Sequence, residues 1–305
     1  MSADVQTGVR PEAPATSWVR ALWLLPAALV AAWWIRDLSF EWSSLVEYHF
    51  GPIVVMLAAY LVWERWPSRP LQDAPAPFGL SLAMAALGFC CVLAAELYRI
   101  GLARTPTSSM LLSLGCALFI AAQLLVISGR RTLMHFLFPL LFFFIAVPIP
   151  HFFWNPVVLG LQSFVAMLNV EALRLMGIPA ERFAHVIQLP NTRVGVDEAC
   201  SGVRSLQSSI MAALFVGDLT LRKAGWKVFF LIGGVVLAVA GNFFRSLYLC
   251  LTAYRHGDAA LRAVHDTAGW SVLAFTAVGV VLLAMLVSRL DRLTSANRAA
   301  NPVVN

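Results

Sequence analysis

Polar and apolar residues along this chain fall into long blocks rather than short alternations. Apolar runs of roughly membrane-spanning length occupy about residues 19–36, 50–64, 78–98, 107–128, 132–150, 201–217, 225–250 and 267–288. A helix rises 1.5 Å per residue, so about 20 apolar residues cross a hydrocarbon core of about 30 Å. Each run therefore predicts one transmembrane helix, and tryptophan or tyrosine at the ends of the shorter runs predicts anchoring at the interface. The predicted fold class is an all-α integral membrane protein with about eight spans.

The stretch between the fifth and sixth runs reads differently. Pro148, Pro150 and Pro156 in "VPIPHFFWNP" stop the fifth span, since proline cannot donate to the helical ladder. The apolar stretch that follows, about residues 157–176, is interrupted by Gln162, Asn169, Glu171 and Arg174, which predicts a helix lying at the interface. The competing reading is a ninth span. "AHVIQLPNTRVGV" then alternates on both sides of Pro190-Asn191 and predicts a small β-hairpin just before the sixth span.

Residues 1–17 are polar and rich in Pro and Ala, and are expected to be a disordered cytoplasmic tail. They are not expected to form a cleaved signal peptide, because the run after them ends in Trp33, Trp34 and Arg36 with no small-residue cleavage site. Residues 18–290 are expected to form one polytopic domain and 291–305 a cytoplasmic tail, with no soluble extension.

Composition strengthens this picture. Hydrophobic residues make up 60% and charged residues 12% of the chain, against roughly half and a quarter in soluble domains. The net charge of +6 is scattered among apolar spans and forms no basic stripe, which argues against a nucleic-acid partner. Arginine and lysine also orient the chain. With the N-terminus inside, twelve of them lie in the cytoplasmic connections and tails and five in the short outer loops, favouring N-in and C-in. The connection over 151–200 then lies on the outer side.

Chemistry concentrates at that outer side. Cys90, Cys91, Cys116 and Cys250 lie within apolar runs and read as small buried hydrophobes, whereas Cys200 has polar neighbours in "VDEACSGVRSL". Cys200 is expected in the first turn of the sixth span, capped by Asp197, where the positive end of the helix dipole favours a thiolate. Gly202 leaves room for another backbone, and Arg204, four residues after Cys200, adds positive charge on the same helical face. In the seventh span, "GNFFRSLYLC" places Arg245 beside Asn242 inside an apolar run. Eighteen residues of rise from Lys227, about 27 Å, bring Arg245 to the outer surface. His265 precedes the eighth span on the same side.

A thiol, an imidazole and a guanidinium at one depth are what acyl transfer through a thioester requires. A structural reading competes at each position: an inert thiol, a snorkelling arginine beside Asn242, and a histidine paired with Asp266. Among the other histidines, His185 in the hairpin is the rival proton carrier, while His135 and His256 have no evident role. No His, Cys, Asp or Glu pair has zinc-ligand spacing on one helix, and neither metal nor cofactor is expected.

The set "ACSGVRSL", "NFFR" and "HDTAG", together with "FPLLFFFIAVPIP" and the hairpin "VIQLPNTRVGVDEACSG", resembles the motifs of the exosortases. These are multi-spanning cysteine transpeptidases of Gram-negative bacteria related to the archaeosortases. The resemblance covers roughly residues 45–290 and implies Cys200 as nucleophile, with Arg245 and His265 as the essential arginine and histidine. It further implies substrates whose C-terminal tail carries a short signature such as Pro-Glu-Pro, a transmembrane helix and a basic cluster. Cleavage would occur at the outer, periplasmic face of the inner membrane, with transfer to an unidentified acceptor, often in bacteria that make exopolysaccharide. One departure stands at the second span, where Tyr48-His49-Phe50-Gly51 replaces the usual Ser-His-Gly. Two other functions remain open from the residues alone: a polytopic transporter with Arg245 on its pathway, and a non-enzymatic subunit of an envelope polysaccharide assembly.

Overall fold

In hydrocarbon a chain must satisfy its backbone internally, and the α-helix does so within a single segment. The computed structural model describes residues 24–70, 78–195 and 202–300, and for 265, 266 and 295–300 the backbone alone. Its helices are α1 (Leu25–Ser44), α2 (Gly51–Arg65), α3 (Phe78–Leu102), α4 (Pro106–Phe142), α5 (His151–Leu175), α6 (Val203–Thr220) and α7 (Ala224–Ala300). Short 3-10 turns occupy Val46–Tyr48 and Phe143–Ala146. Strands β1 (Glu181–Phe183), β2 (Val186–Gln188) and β3 (Arg193–Gly195) form an antiparallel sheet in that order.

Two of these helices are hairpins. In α4, Gly129 (φ 82°, ψ 178°) breaks the helix at the Gly129-Arg130-Arg131 junction between the two expected spans. In α7, Gly257 (φ 78°, ψ 179°) does the same, and the two limbs fold back on each other. Gly241 of the first limb packs on Val272, Phe275 and Thr276 of the second, and Gly279 packs on Leu237. The second limb continues as helix to Ala300, past the expected start of the C-terminal tail at 291. The expected N-terminal tail lies outside the described residues.

Among the described residues, six helical segments are long and apolar enough to cross a membrane: Val46–Arg65, Phe78–Leu102, Pro106–Ala146, His151–Leu175, Ala224–Val264 and Thr267–Thr294. They differ from the eight expected runs in four places. The runs at 107–128 and 132–150 fall within one segment, Pro106–Ala146, broken at Gly129. The first helix runs from Leu25 to Ser44, and its Arg36, Asp37 and Glu41 remove it from the set. In α6, Arg204, Gln207, Ser208 and Ser209 dilute the apolar content over only 18 residues. Conversely α5, expected at the interface, belongs to the set. The polar residues that argued for an interfacial position are accommodated: Gln162 and Asn169 are buried, and Glu171 and Arg174 pair with each other at 3.2 Å. Pro156 lies inside this helix and does not stop it.

The chain divides into two compact units. One gathers the residues up to Ser44 and Ala58–Val147, the other Leu45–Leu57 and Pro148 onward. In the first, Trp34 Nε1 donates to Ser113 Oγ (2.8 Å) and Trp42 Nε1 to the Ala146 carbonyl (2.8 Å), so both indoles are buried with their polar edge satisfied. Gly88 and Gly115 let α3 and α4 approach closely: a Cβ on Gly115 would lie 2.7 Å from the Gly88 carbonyl oxygen.

In the second unit the expected hairpin is β2–β3, with Ile187 opposite Val194, and β1 adds a third strand. Ile187, Leu189 and Val194 point from the sheet into a core with Val165, Val170 and Leu173 of α5 and Cys250 and Ala253 of α7. Alternation of apolar and polar residues over so short a stretch is enough to set one face against those helices.

Candidate active site

The site is built where α6 begins. Its N-cap is Gly202, in the left-handed region (φ 79°, ψ 6°), and helix runs from Val203. A side chain there would be strained by the backbone alone. It would also collide, since a Cβ on Gly202 would lie 2.5 Å from Asn242 Cγ and 2.8 Å from Asn242 Nδ2. The N-terminus of α6 is thus seated directly on the Asn242 carboxamide of α7. Among the described residues the helix begins at Val203, and Arg204 in its first turn is exposed. Asp197 and Cys200 themselves lie outside the described residues. Chain connectivity allows the Cα of Cys200 no more than about 7 Å from that of Gly202.

Asn242 is 2% exposed, and among the described residues neither its Nδ2 nor its Oδ1 has a hydrogen-bond partner. Leaving such a group unsatisfied costs about 1–3 kcal/mol, so its retention needs a reason. Three residues on, one helical turn or about 4.5 Å along the axis, stands Arg245. Its guanidinium lies over the second limb: a Cβ on Gly269 would lie 3.4 Å from Arg245 Nη2. Gly269 follows His265 by four residues in the same helix. The backbone of His265 is therefore one turn from the residue that Arg245 covers; its side chain is among those not described.

Arg245 also borders a cavity of about 540 Å³ between the two limbs of α7. The cavity is walled mainly by Phe244, Tyr248, Val264, Val272 and Phe275, with Thr267 and Ser271 as small polar groups. An apolar recess with one guanidinium at its edge suits an extended chain carrying a single polar or anionic group.

Two arrangements were not anticipated. At the break at Gly257 the first limb ends, and the last carbonyls of a helix lack intrahelical partners. The hairpin turn meets them: Asn191 Nδ2 donates to the Tyr254 carbonyl (2.8 Å) and Thr192 Oγ1 to Asp258 Oδ1 (2.5 Å). This clasp holds the β2–β3 turn, and β3 leads within five residues to Cys200. The second is an ion-pair cluster in the first unit. Asp37 accepts two bonds from Arg99 (2.8 and 3.0 Å) and pairs with Arg104 (2.8 Å). Glu41 pairs with the same Arg104 (3.1 Å) and accepts from Ser109 Oγ (2.7 Å). Two carboxylates four residues apart just after the first apolar run were a legible signal, because that spacing puts both on one helix face.

The other expected residues are quickly placed. His49, His151 and His256 are exposed, and His185 sits half-buried in the β1–β2 turn. His135 has a structural role: its Nε2 lies 2.9 Å from the Arg65 carbonyl, while Arg65 Nη1 donates to the His135 carbonyl (2.8 Å). Cys116 and Cys250 are buried as expected, whereas Cys90 is exposed. Among the described residues, no three His, Cys, Asp or Glu side chains come together as metal ligands would.

Comparison with curated proteins and with solved structures yields no match. The family model described as transmembrane exosortase matches residues 42–283, a segment that includes the α6 N-terminus, Asn242, Arg245 and the His265–Gly269 turn. The chain belongs to the transmembrane exosortase family.

Proposed function

We propose that this protein is a membrane-embedded cysteine transpeptidase that cleaves C-terminal sorting tails of exported proteins and transfers the acyl group through a thioester on Cys200. The observation that carries this reading is a pair of close approaches, Gly202 on Asn242 and Gly269 on Arg245. They bring the chain segments that adjoin Cys200 and His265 onto Asn242 and Arg245, one turn apart on α7.

The chemistry follows from the groups. Cys200 lies just ahead of α6, near the positive end of the helix dipole, which favours its thiolate. The sulfur attacks the scissile carbonyl carbon; the C–S bond forms as the carbonyl π pair moves to oxygen, where the Arg245 guanidinium balances the charge. Collapse of this intermediate breaks the C–N bond, and the amine leaves with a proton from the His265 imidazolium. A thioester remains. An acceptor amine, hydroxyl or water then gives its proton to the neutral imidazole, adds to the thioester carbonyl and expels the thiolate. Every step is redox-neutral and returns the starting protein.

The substrate would carry a short signature, a transmembrane helix and a basic cluster, with the enzyme in the bacterial inner membrane and its site on the periplasmic side. A tail helix beside the enzyme confines the encounter to two dimensions and makes the attack effectively intramolecular. The acceptor is an outer-surface nucleophile. Cys200→Ala tests the reading: a tail-bearing partner should remain full length in cells, and normal processing in that variant refutes it.

A further inference from the structure

A buried amide with all its hydrogen-bonding capacity unused is either a liability or a reserved binding group. Asn242 is of this kind, at 2% exposure with neither amide atom partnered among the described residues. Its position favours the second meaning. The carboxamide touches the N-cap of an 18-residue helix, Gly202 of α6, so it lies at the end where first-turn backbone N–H groups point out of the helix. The first intrahelical bond there is Leu206 N–H to the Gly202 carbonyl (2.8 Å). Asn242 is also one turn from Arg245, on the same helix. A carboxamide at a helix N-terminus thus stands one turn from a guanidinium, and all three attract an oxygen bearing negative charge.

We infer that Asn242 is a further catalytic residue, whose Nδ2–H, with the α6 N-terminus, holds the acyl oxygen of the scissile peptide as it becomes an oxyanion. The inference rests on the transpeptidase reading above. When the thiolate adds to the carbonyl carbon, the π pair moves to oxygen. The charge then develops where fixed dipoles already point, so no reorganisation is needed at that moment. Arg245 supplies net charge to the same oxygen, and Asn242 supplies direction. That Asn242 has no partner among the described residues is explained, because its partner is the substrate. Gly202 is explained as well: any side chain there would displace the carboxamide.

The test uses the full-length protein in proteoliposomes with a tail-bearing substrate, comparing wild type, Asn242→Leu, Asn242→Ala and Cys200→Ala. Leucine keeps the branched shape of asparagine and removes only the polar atoms. The expected result is a fall in kcat of about 10²–10³-fold for both Asn242 variants, the loss seen when one oxyanion donor is removed, with KM little changed. Alkylation of Cys200 by iodoacetamide should keep its wild-type rate, and Asn242→Leu should melt no lower than wild type. A purely structural asparagine would instead lower melting temperature and activity together, which overturns the inference. Processing by Asn242→Leu within about threefold of wild type, with Cys200→Ala inactive, overturns it alone. Processing by Cys200→Ala overturns the transpeptidase reading and this inference with it.

Discussion

The ion cluster of the first unit and the polar site of the second treat buried polarity in opposite ways. Asp37, Glu41, Arg99 and Arg104 share their charges among themselves, with Ser109 taking up a carboxylate oxygen. Asn242, more deeply buried than most of them, makes no hydrogen bond among the described residues, and it stands one turn from an arginine that borders a cavity. Polar groups in apolar surroundings are costly in both places. Where the cost is offset inside the protein, the group serves the fold. Where it is not, the group is available to a ligand.

Four substitutions, taken from the largest expected effect to the smallest, sharpen that contrast. Asp37→Ala leaves Arg99 without its bidentate partner, and breaking a buried pair from one side costs about 3–5 kcal/mol. The variant should melt markedly lower in detergent, while the activity of the fraction that stays folded is retained. Gly202→Ala acts in reverse. Its Cβ would drive into Asn242, so processing should fall by at least about 100-fold, equivalent to about 2.7 kcal/mol, with a smaller loss of stability. An unchanged rate in this variant would break the link between the α6 N-terminus and the chemistry.

Arg245→Lys keeps a charge but loses the planar fork that lies over Gly269, and should cost about tenfold in kcat/KM at unchanged melting temperature. Asn191→Ala removes one bond from the hairpin clasp, worth about 1 kcal/mol. It should show as faster hydrogen exchange in β2 and β3, with a modest loss of processing. Equal protection in wild type and variant would mean that the clasp does not hold the sheet.

Much of the architecture was legible because apolar runs and breakers are local signals. The hairpin around Pro190-Asn191 appeared where alternation placed it, and the limbs of α4 and α7 separate at Gly129 and Gly257, within the connections between apolar runs. What the patterning did not show has one cause. Gln162 and Asn169 looked like the polar face of an interfacial helix, yet both are buried against other parts of the second unit. Arg99 and Arg104 were counted as loop charges, yet they serve Asp37, 62 and 67 residues away. In each case the residue's environment comes from segments far along the chain, which periodicity cannot see.

The same division holds at the site. Cys200, Arg245 and His265 stood out by residue type, because a thiol among carboxylates and an arginine inside a span are unusual wherever the chain takes them. The family follows from the motifs around them. Gly202, Asn242 and Gly269 are ordinary residues in a sequence. Only the packing of α6 on α7, and of the two limbs of α7 on each other, decided that one glycine seats an unpartnered carboxamide and another underlies a guanidinium. Sequence specifies which groups are chemically capable, since that is a property of each side chain. Their mutual distances are set by close packing between remote segments, and only the tertiary structure contains those.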